Sequence, residues 1–326
     1  MKQTLRRQFL KTSATFGAVA ASSGLLVACG GSDDPVAPAA KNIVETAQAT
    51  PSLSILVEAV IAANLTGALS APGTLTVFAP TNDAFTALLG ELGLTKAQLL
   101  ANTGLLTKVL QYHVLGATVK KANIPLGKAI DPIVPGTQDV FKIDAVGANV
   151  VITDGRNRKS NITATDISAS NGVVHVIDKV ILPADKDIVT TAQSVPDFSI
   201  LVEAVVAAGL VPTLQGTGPF TVFAPTNAAF AAALSELNLT KAQLLGDIPR
   251  LTKILTYHVV SGRVLKADVP VGAPITTVQT ETFSVSAALA ITDQENRVSN
   301  ITATDVLTTN GVIHTIDKVI LPNILP

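Results

Sequence analysis

Four histidines, two tyrosines and a single cysteine are the side chains of this sequence best suited to chemistry. The histidines are His113, His175, His258 and His314, and each tyrosine directly precedes one of them, as Tyr112-His113 and Tyr257-His258. An imidazole can ligate a metal, relay a proton, or fix a loop by bonding at both nitrogens. Metal ligation needs further convergent ligands, and no His-x-His, cysteine pair or acidic ladder flanks any of the four. We therefore expect hydrogen-bonded core histidines, with no metal and no cofactor. Tyrosine is a frequent interface anchor and equally a buried ring with a bonded hydroxyl, and the sequence leaves both open. Enzymatic patterns are missing: there is no Gly-x-Ser-x-Gly elbow and no phosphate-cradling glycine loop after a strand. No catalytic activity is expected. Asn161-Ile-Thr163 and Asn300-Ile-Thr302 match a glycosylation sequon but read as ordinary strand residues. Asp178-Lys179 and Asp317-Lys318 read as strand neighbours on opposite faces, unable to pair with each other.

The elements that must position these residues are written twice. Thr76 to Phe85 returns as Thr221 to Phe230, Ser54 to Val60 as Ser199 to Val205, and Tyr112-His113 as Tyr257-His258, all at an offset of 145. Ser160 to Asp166 returns as Ser299 to Asp305 at an offset of 139, so copy two has lost six residues after its Tyr-His pair. The copies run over 41–183 and 186–322, each domain-sized, and the linker is only Ala184-Asp185, so the two bodies should touch or be held at a limited range of angles. Within a copy, Leu53, Leu56, Val57, Val60, Ile61 and Leu65 follow helical spacing, with Ser52 as the expected cap and Asp197 as its counterpart. Leu75 to Ala79 reads as a strand that stops at Pro80, after which Thr81-Asn82 opens a helix. Thr95 and Thr240 cap another helix, and Leu105 to Leu110 runs helically into Tyr112. Val140 to Ile143, Val150 to Thr153 and Ile162 to Thr165 are strand signals. Asn171-Gly172 turns into a final strand, Val173 to Leu182, that is apolar on both faces and so should be covered on both. Helices first and strands later predict an α+β fold.

The N-terminus reads as an address. Lys2, Arg6 and Arg7 precede a weak apolar stretch, Ala14 to Ala28, too short to span a bilayer. Arg6-Arg7-Gln8-Phe9-Leu10-Lys11 resembles the twin-arginine export signal, with Leu5 where that pattern usually has Ser or Thr. A general secretory signal is the alternative. Leu26-Val27-Ala28-Cys29-Gly30 resembles the bacterial lipobox, which implies a signal peptide over 1–28 and acylation of Cys29, the only cysteine in the chain. Several acyl chains make a stable anchor. Gly30 after the cysteine follows the Gram-negative outer-membrane pattern, and residues 29–40 have the composition of a flexible linker. Loss of the first 28 residues removes four basic and no acidic groups, taking the net charge from −1 to −5. With no tryptophan and 4% aromatic residues, this charge gives no footing for nucleic acid. Membrane contact is expected only through the lipid.

Three segments recur in order in both copies: Thr-Val-Phe-Ala-Pro-Thr-Asn-x-Ala-Phe, then Tyr-His, then Asn-Gly-Val-x-His-x-Ile-Asp-Lys-Val-Ile-Leu-Pro. They resemble the signature of the fasciclin domain across nearly the whole mature chain. The resemblance implies two wedge-shaped domains, each a roughly seven-stranded β-sandwich with a helical layer. Its signature residues are Thr81, Asn82, His175 and Asp178 in copy one and Thr226, Asn227, His314 and Asp317 in copy two. It also implies a role in cell adhesion or matrix contact, with a protein or polysaccharide surface as partner. In animal relatives the Tyr-His segment is linked to receptor binding, which here maps to Tyr112, His113, Val114 and Leu115, and to Tyr257, His258, Val259 and Val260. Asp83 becomes Ala228 in copy two and no Arg-Gly-Asp is present, so nothing specific points to an animal receptor. Some fasciclin-like proteins hold carotenoids. Carriage of a small apolar molecule, in a cleft of or between the domains, is therefore the alternative function.

Overall fold

The computed structural model describes residues 40–323. The export signal with Arg6, Arg7, Phe9 and Leu10, the lipobox at Cys29 and nearly all of the linker lie outside the described residues. Copy one comprises α1 (Ile43–Gln48), α2 (Ser54–Ala62), α3 (Thr66–Ser70), β1 (Leu75–Pro80), α4 (Asn82–Leu92), α5 (Lys96–Ala101) and α6 (Thr103–Tyr112). These lead into β2 (Val114–Leu115), β3 (Ala129–Ile130), β4 (Phe141–Val146), β5 (Asn149–Thr153), β6 (Lys159–Ala169) and β7 (Gly172–Ile177). Copy two repeats the order as α7 (Ile188–Gln193), α8 (Ser199–Ala207), α9 (Val211–Leu214), β8 (Phe220–Pro225), α10 (Asn227–Glu236), α11 (Lys241–Gly246) and α12 (Ile248–Tyr257). Its strands are β9 (Val259–Ser261), β10 (Pro274–Thr276), β11 (Thr282–Val285), β12 (Ala290–Thr292), β13 (Val298–Thr308) and β14 (Gly311–Ile316). Among the described residues no helix is long and apolar enough to cross a membrane.

Helix starts follow the local signals with one exception. Thr81 accepts from Ala84 N–H, and Thr95 with Gln98 and Thr240 with Gln243 form reciprocal capping boxes. Ser52 and Asp197, the expected caps of α2 and α8, instead lie inside short 3₁₀ turns. The cap comes from across the fold: Ile55 N–H donates to Asn82 Oδ1 at 2.9 Å and Ile200 N–H to Asn227 Oδ1 at 3.0 Å. Asn82 Nδ2 also donates to Pro51 O and to the Ser54 hydroxyl, tying the starts of α2 and α4 together.

The strands of each copy form one seven-stranded sheet, ordered β2-β1-β7-β6-β5-β4-β3 in copy one, with β1 parallel to β7. Residues 159–161 of β6 pair with β5 and residues 162–169 with β7. Register shifts after Ile162 and Ala164, with Asp166 at φ +60, mark the bulge at this long strand. The sheet thus forms a half-closed barrel. Val174 and Val176 of β7 pack against the helices with Leu56, Phe85 and Leu110. Ile177 points into the sheet interior with Phe78, Phe141, Ile143 and Ile152. The last strand is covered on both sides, as its composition requires, but it ends at Ile177 rather than Leu182. Asp178 consequently lies beyond the strand, where it accepts from Asn161 N–H and Asn161 Nδ2, both at 2.7 Å. Asp317 does the same with Asn300. The reading of Asp178-Lys179 as opposite faces of a strand is corrected: the aspartate closes the turn after it.

The two copies touch, one of the two arrangements that the two-residue linker allows. Val140 of copy one packs with Leu265, Leu307 and Val312 of copy two. Lys142 Nζ lies 2.8 Å from Asp305 Oδ2, and the Lys128 ammonium 3.3 Å from Asp268. Asn157 Nδ2 donates to Leu307 O at 3.0 Å while its Oδ1 accepts from Leu307 N–H at 2.7 Å. Ala184 is itself buried. It passes so close to Gly155 that a Cβ there would lie 2.2 Å from Ala184 N, so only glycine fits beneath the linker.

Candidate functional site

The Tyr-His segments sit where the helical layer meets the sheet. Tyr112 and Tyr257 are 0% exposed, His113 1% and His258 2%. Val114, Leu115, Val259 and Val260 are buried as well. The contact surface expected at these eight residues is corrected: α6 hands the chain to β2 through the middle of the domain, so their side chains face inward. Tyr112 Oη donates to Val140 O at 2.6 Å and accepts from Gly155 N–H at 2.8 Å, and Tyr257 Oη donates to Thr282 O at 2.8 Å. Burial, reinforced by Asp154, holds the Tyr112 hydroxyl well above its ordinary pKa. Of the two readings left open for tyrosine, the buried and bonded one describes this structure.

The histidines are wired to backbone at both nitrogens. Ile181 N–H donates to His113 Nε2 at 3.1 Å, so the proton resides on Nδ1, which donates to Val109 O at 2.7 Å. His258 repeats this with Ile320 N–H and Ile254 O. Burial pushes both rings down to about 4, so they are neutral at pH 7. His175 and His314 use the opposite tautomer. His175 Nδ1 accepts from Asp166 N–H at 3.2 Å and Nε2 donates to Val119 O at 2.9 Å; His314 bonds Asp305 N–H and Val264 O in the same way. Each of these rings pins the bulge of its long strand. With every imidazole lone pair accepting an amide proton, none is left to bind a metal. Among the described residues no group of three or more His, Cys, Asp or Glu side chains is placed to hold one.

Two further clusters escaped the sequence reading. Asp154, 1% exposed, accepts at Oδ2 from Arg158 Nε, Arg158 Nη2 and Leu182 N–H, and at Oδ1 from the amides of Arg156 and Arg158. Asp293 and Arg297 build the same hub in copy two. Asn171 is a clamp rather than only a turn residue: its Oδ1 accepts from Ile43 N–H, and its Nδ2 donates to Leu69 O and Ala71 O. Asn310 matches it. The signal was the exact return of Thr-Asp-x-x-Asn-Arg and of the Asn-Gly pair in both copies, polar groups repeated where loops are free to vary.

Each copy encloses a matching apolar cavity of about 30 Å³ between the first two helices and the parallel strand pair, lined in copy one by Val44, Leu56, Val60, Val77 and Val174. An apolar cavity known to take up benzene is several times larger, at about 150 Å³. Copy one also bears an open groove of about 620 Å³ between the end of α2, α6 and the loop before β4, lined by Asn64, Thr103, Thr107, Lys108, Gln111 and Thr137 among others. Lys108 pairs with Asp139 at 3.1 Å beside it. The loop forming its wall, residues 131–139, is three residues longer than its counterpart 276–281. That difference is half of the six-residue loss; the other half shortens the turn between the next two strands.

A family model of the fasciclin domain matches residues 51–183 and 196–322. The chain is 30% identical over 258 residues to the transforming growth factor-beta-induced protein ig-h3 of Sus scrofa, which covers 78% of this chain and 36% of that protein's length. It is 42% identical over 147 residues to protein sll1483 of Synechocystis, covering 44% of this chain and 74% of that protein. Among solved structures, a FAS1 domain pair from the insect cell adhesion molecule fasciclin I aligns with a TM-score of 0.42 and 19% identity, over 83% of this chain and 97% of that one. With both copies matched from just before α2 or α8 through the strand that carries His175 or His314, this chain belongs to the fasciclin-domain family.

Proposed function

We propose that the chain is an envelope-anchored adhesion or binding module that presents two docked fasciclin domains to a protein or polysaccharide surface. The observation that carries this reading is that the histidines and tyrosines of the signatures are buried and bonded to backbone, in a chain of a family associated with adhesion. Recognition by surface is the activity left to such a body. The groove beside α6 is the proposed contact region, rich in amide and hydroxyl groups that can bond peptide backbone or sugar hydroxyls. Membrane contact runs through acyl chains on Cys29, delivered by the Arg6-Arg7 signal. The carrier alternative needs room that cavities of about 30 Å³ do not offer.

The test uses the mature chain with Cys29→Ser, applied to immobilised matrix proteins and polysaccharides. Loss of binding in Thr107→Trp, which fills the groove, together with retention in the buried Tyr112→Phe, supports the reading. Binding unaffected by Thr107→Trp moves the contact elsewhere. Absence of any surface binding, with a small molecule retained in native mass spectrometry, replaces adhesion by the carrier.

A further inference from the structure

The docking of the two copies is head-to-tail: copy one uses the face around β3 and β4, and copy two the face around β13 and the turn after β9. A contact of this kind leaves one face unmatched at each end of a pair, so identical copies would add end to end into a ring or an open filament. Each copy here still has its own version of the other's face, left free at one end of the pair. Comparing the two versions position by position within one chain shows what docking requires.

Copy two's face has Leu265, 0% exposed, and Leu307, 2% exposed; the same positions in copy one are the exposed Lys120 and Ser168. Asp268, which meets Lys128, corresponds to Asn123. In the other direction, Val140 and Lys142 of copy one correspond to Thr282 and Ser284, and Lys128 to Ala273. Asp305 and Asp166 both sit in the bulge and both accept an amide of the turn after β9 or β2, Lys266 N–H at 2.7 Å and Lys121 N–H at 2.8 Å. Only Asp305 gains a lysine across the interface. Gly155, on which the linker lies, corresponds to Gln294, where no further domain is attached within the described residues.

We infer that the tandem pair is a closed two-domain unit: its internal faces fit each other, and the faces at its two ends carry replacements that bar docking of another copy. A second chain arriving at copy one would bury the Lys120 ammonium where Leu265 packs, and would offer Ser284 where Asp166 needs a cation. The pair therefore displays its outer surfaces as a monomeric body of fixed geometry.

Sedimentation velocity on the mature Cys29→Ser chain tests this, up to about 1 mM, the effective concentration that a short linker supplies. One variant repairs the end of copy one (Lys120→Leu, Ser168→Leu), a second the end of copy two (Thr282→Val, Ser284→Lys), and a third carries all four changes. Circular dichroism checks that each is folded. The expected result is a monomeric parent, monomeric half-repaired variants, a 1:1 dimer when the two halves are mixed, and a ladder of oligomers for the fourfold variant. A parent that self-associates, a folded fourfold variant that stays monomeric, or a half-repaired variant that associates by itself as strongly as the fourfold one would overturn the inference.

Discussion

Acid should unfold this protein through His113 and His258 before its carboxylates matter. In the unfolded chain each ring has a pKa near 6.5, and in the folded domain burial lowers it to about 4. The folded state therefore binds fewer protons between these values, and stability falls as pH drops through 6.5. The loss levels off near pH 4, where the folded rings also take up a proton. One pKa unit corresponds to 1.36 kcal/mol, so each ring removes about 2 kcal/mol between pH 7 and 5 and about 3 kcal/mol in total. That is a large share of the 5–15 kcal/mol typical of a domain. Burial also lowers His314, which adds to the acid sensitivity of copy two. Glu236, held low by Lys318 and Arg297, contributes only as pH falls through the ordinary carboxylate range. Urea unfolding at pH 7, 6 and 5, followed by tyrosine fluorescence, measures the slope. Tyr112→Phe leaves Tyr257 as the only reporter, isolating copy two. The comparison is His113→Gln/His258→Gln, whose amides still donate and accept but do not titrate. This double variant should be less stable at pH 7 and should lose most of the slope between pH 7 and 5. Equal slopes in parent and double variant would refute the argument, because the acid response would then come from other groups.

Asp154→Asn should destabilise copy one by about 3–5 kcal/mol in urea titration, because it leaves Arg158 beside a neutral side chain and turns an amide toward buried donors. Asn171→Ala leaves Ile43 N–H, Leu69 O and Ala71 O without their partner, so a loss of about 3 kcal/mol is expected, with faster hydrogen exchange in α1 as the local readout.

Sequence alone determined what is encoded at short range or by repetition. Thr81, Thr95 and Thr240 announce helix starts because a cap acts on an amide three residues away. The doubled signatures set the number of domains, the order of helices and strands, and the family. Tertiary structure alone decided which side chains face water and which distant groups meet. Tyr112-His113 has the composition of either a contact or a core, and only the passage of α6 into β2 between two packed layers makes it core. Asn82 caps a helix by accepting from an amide 27 residues earlier, and Asn157 pairs with a backbone 150 residues away. No local pattern specifies such partners, since chain proximity there is created by the folded sheet. The interface lies between these cases. Its residues are visible as differences between the copies, but only the contact of Lys142 with Asp305 shows that those differences share one face.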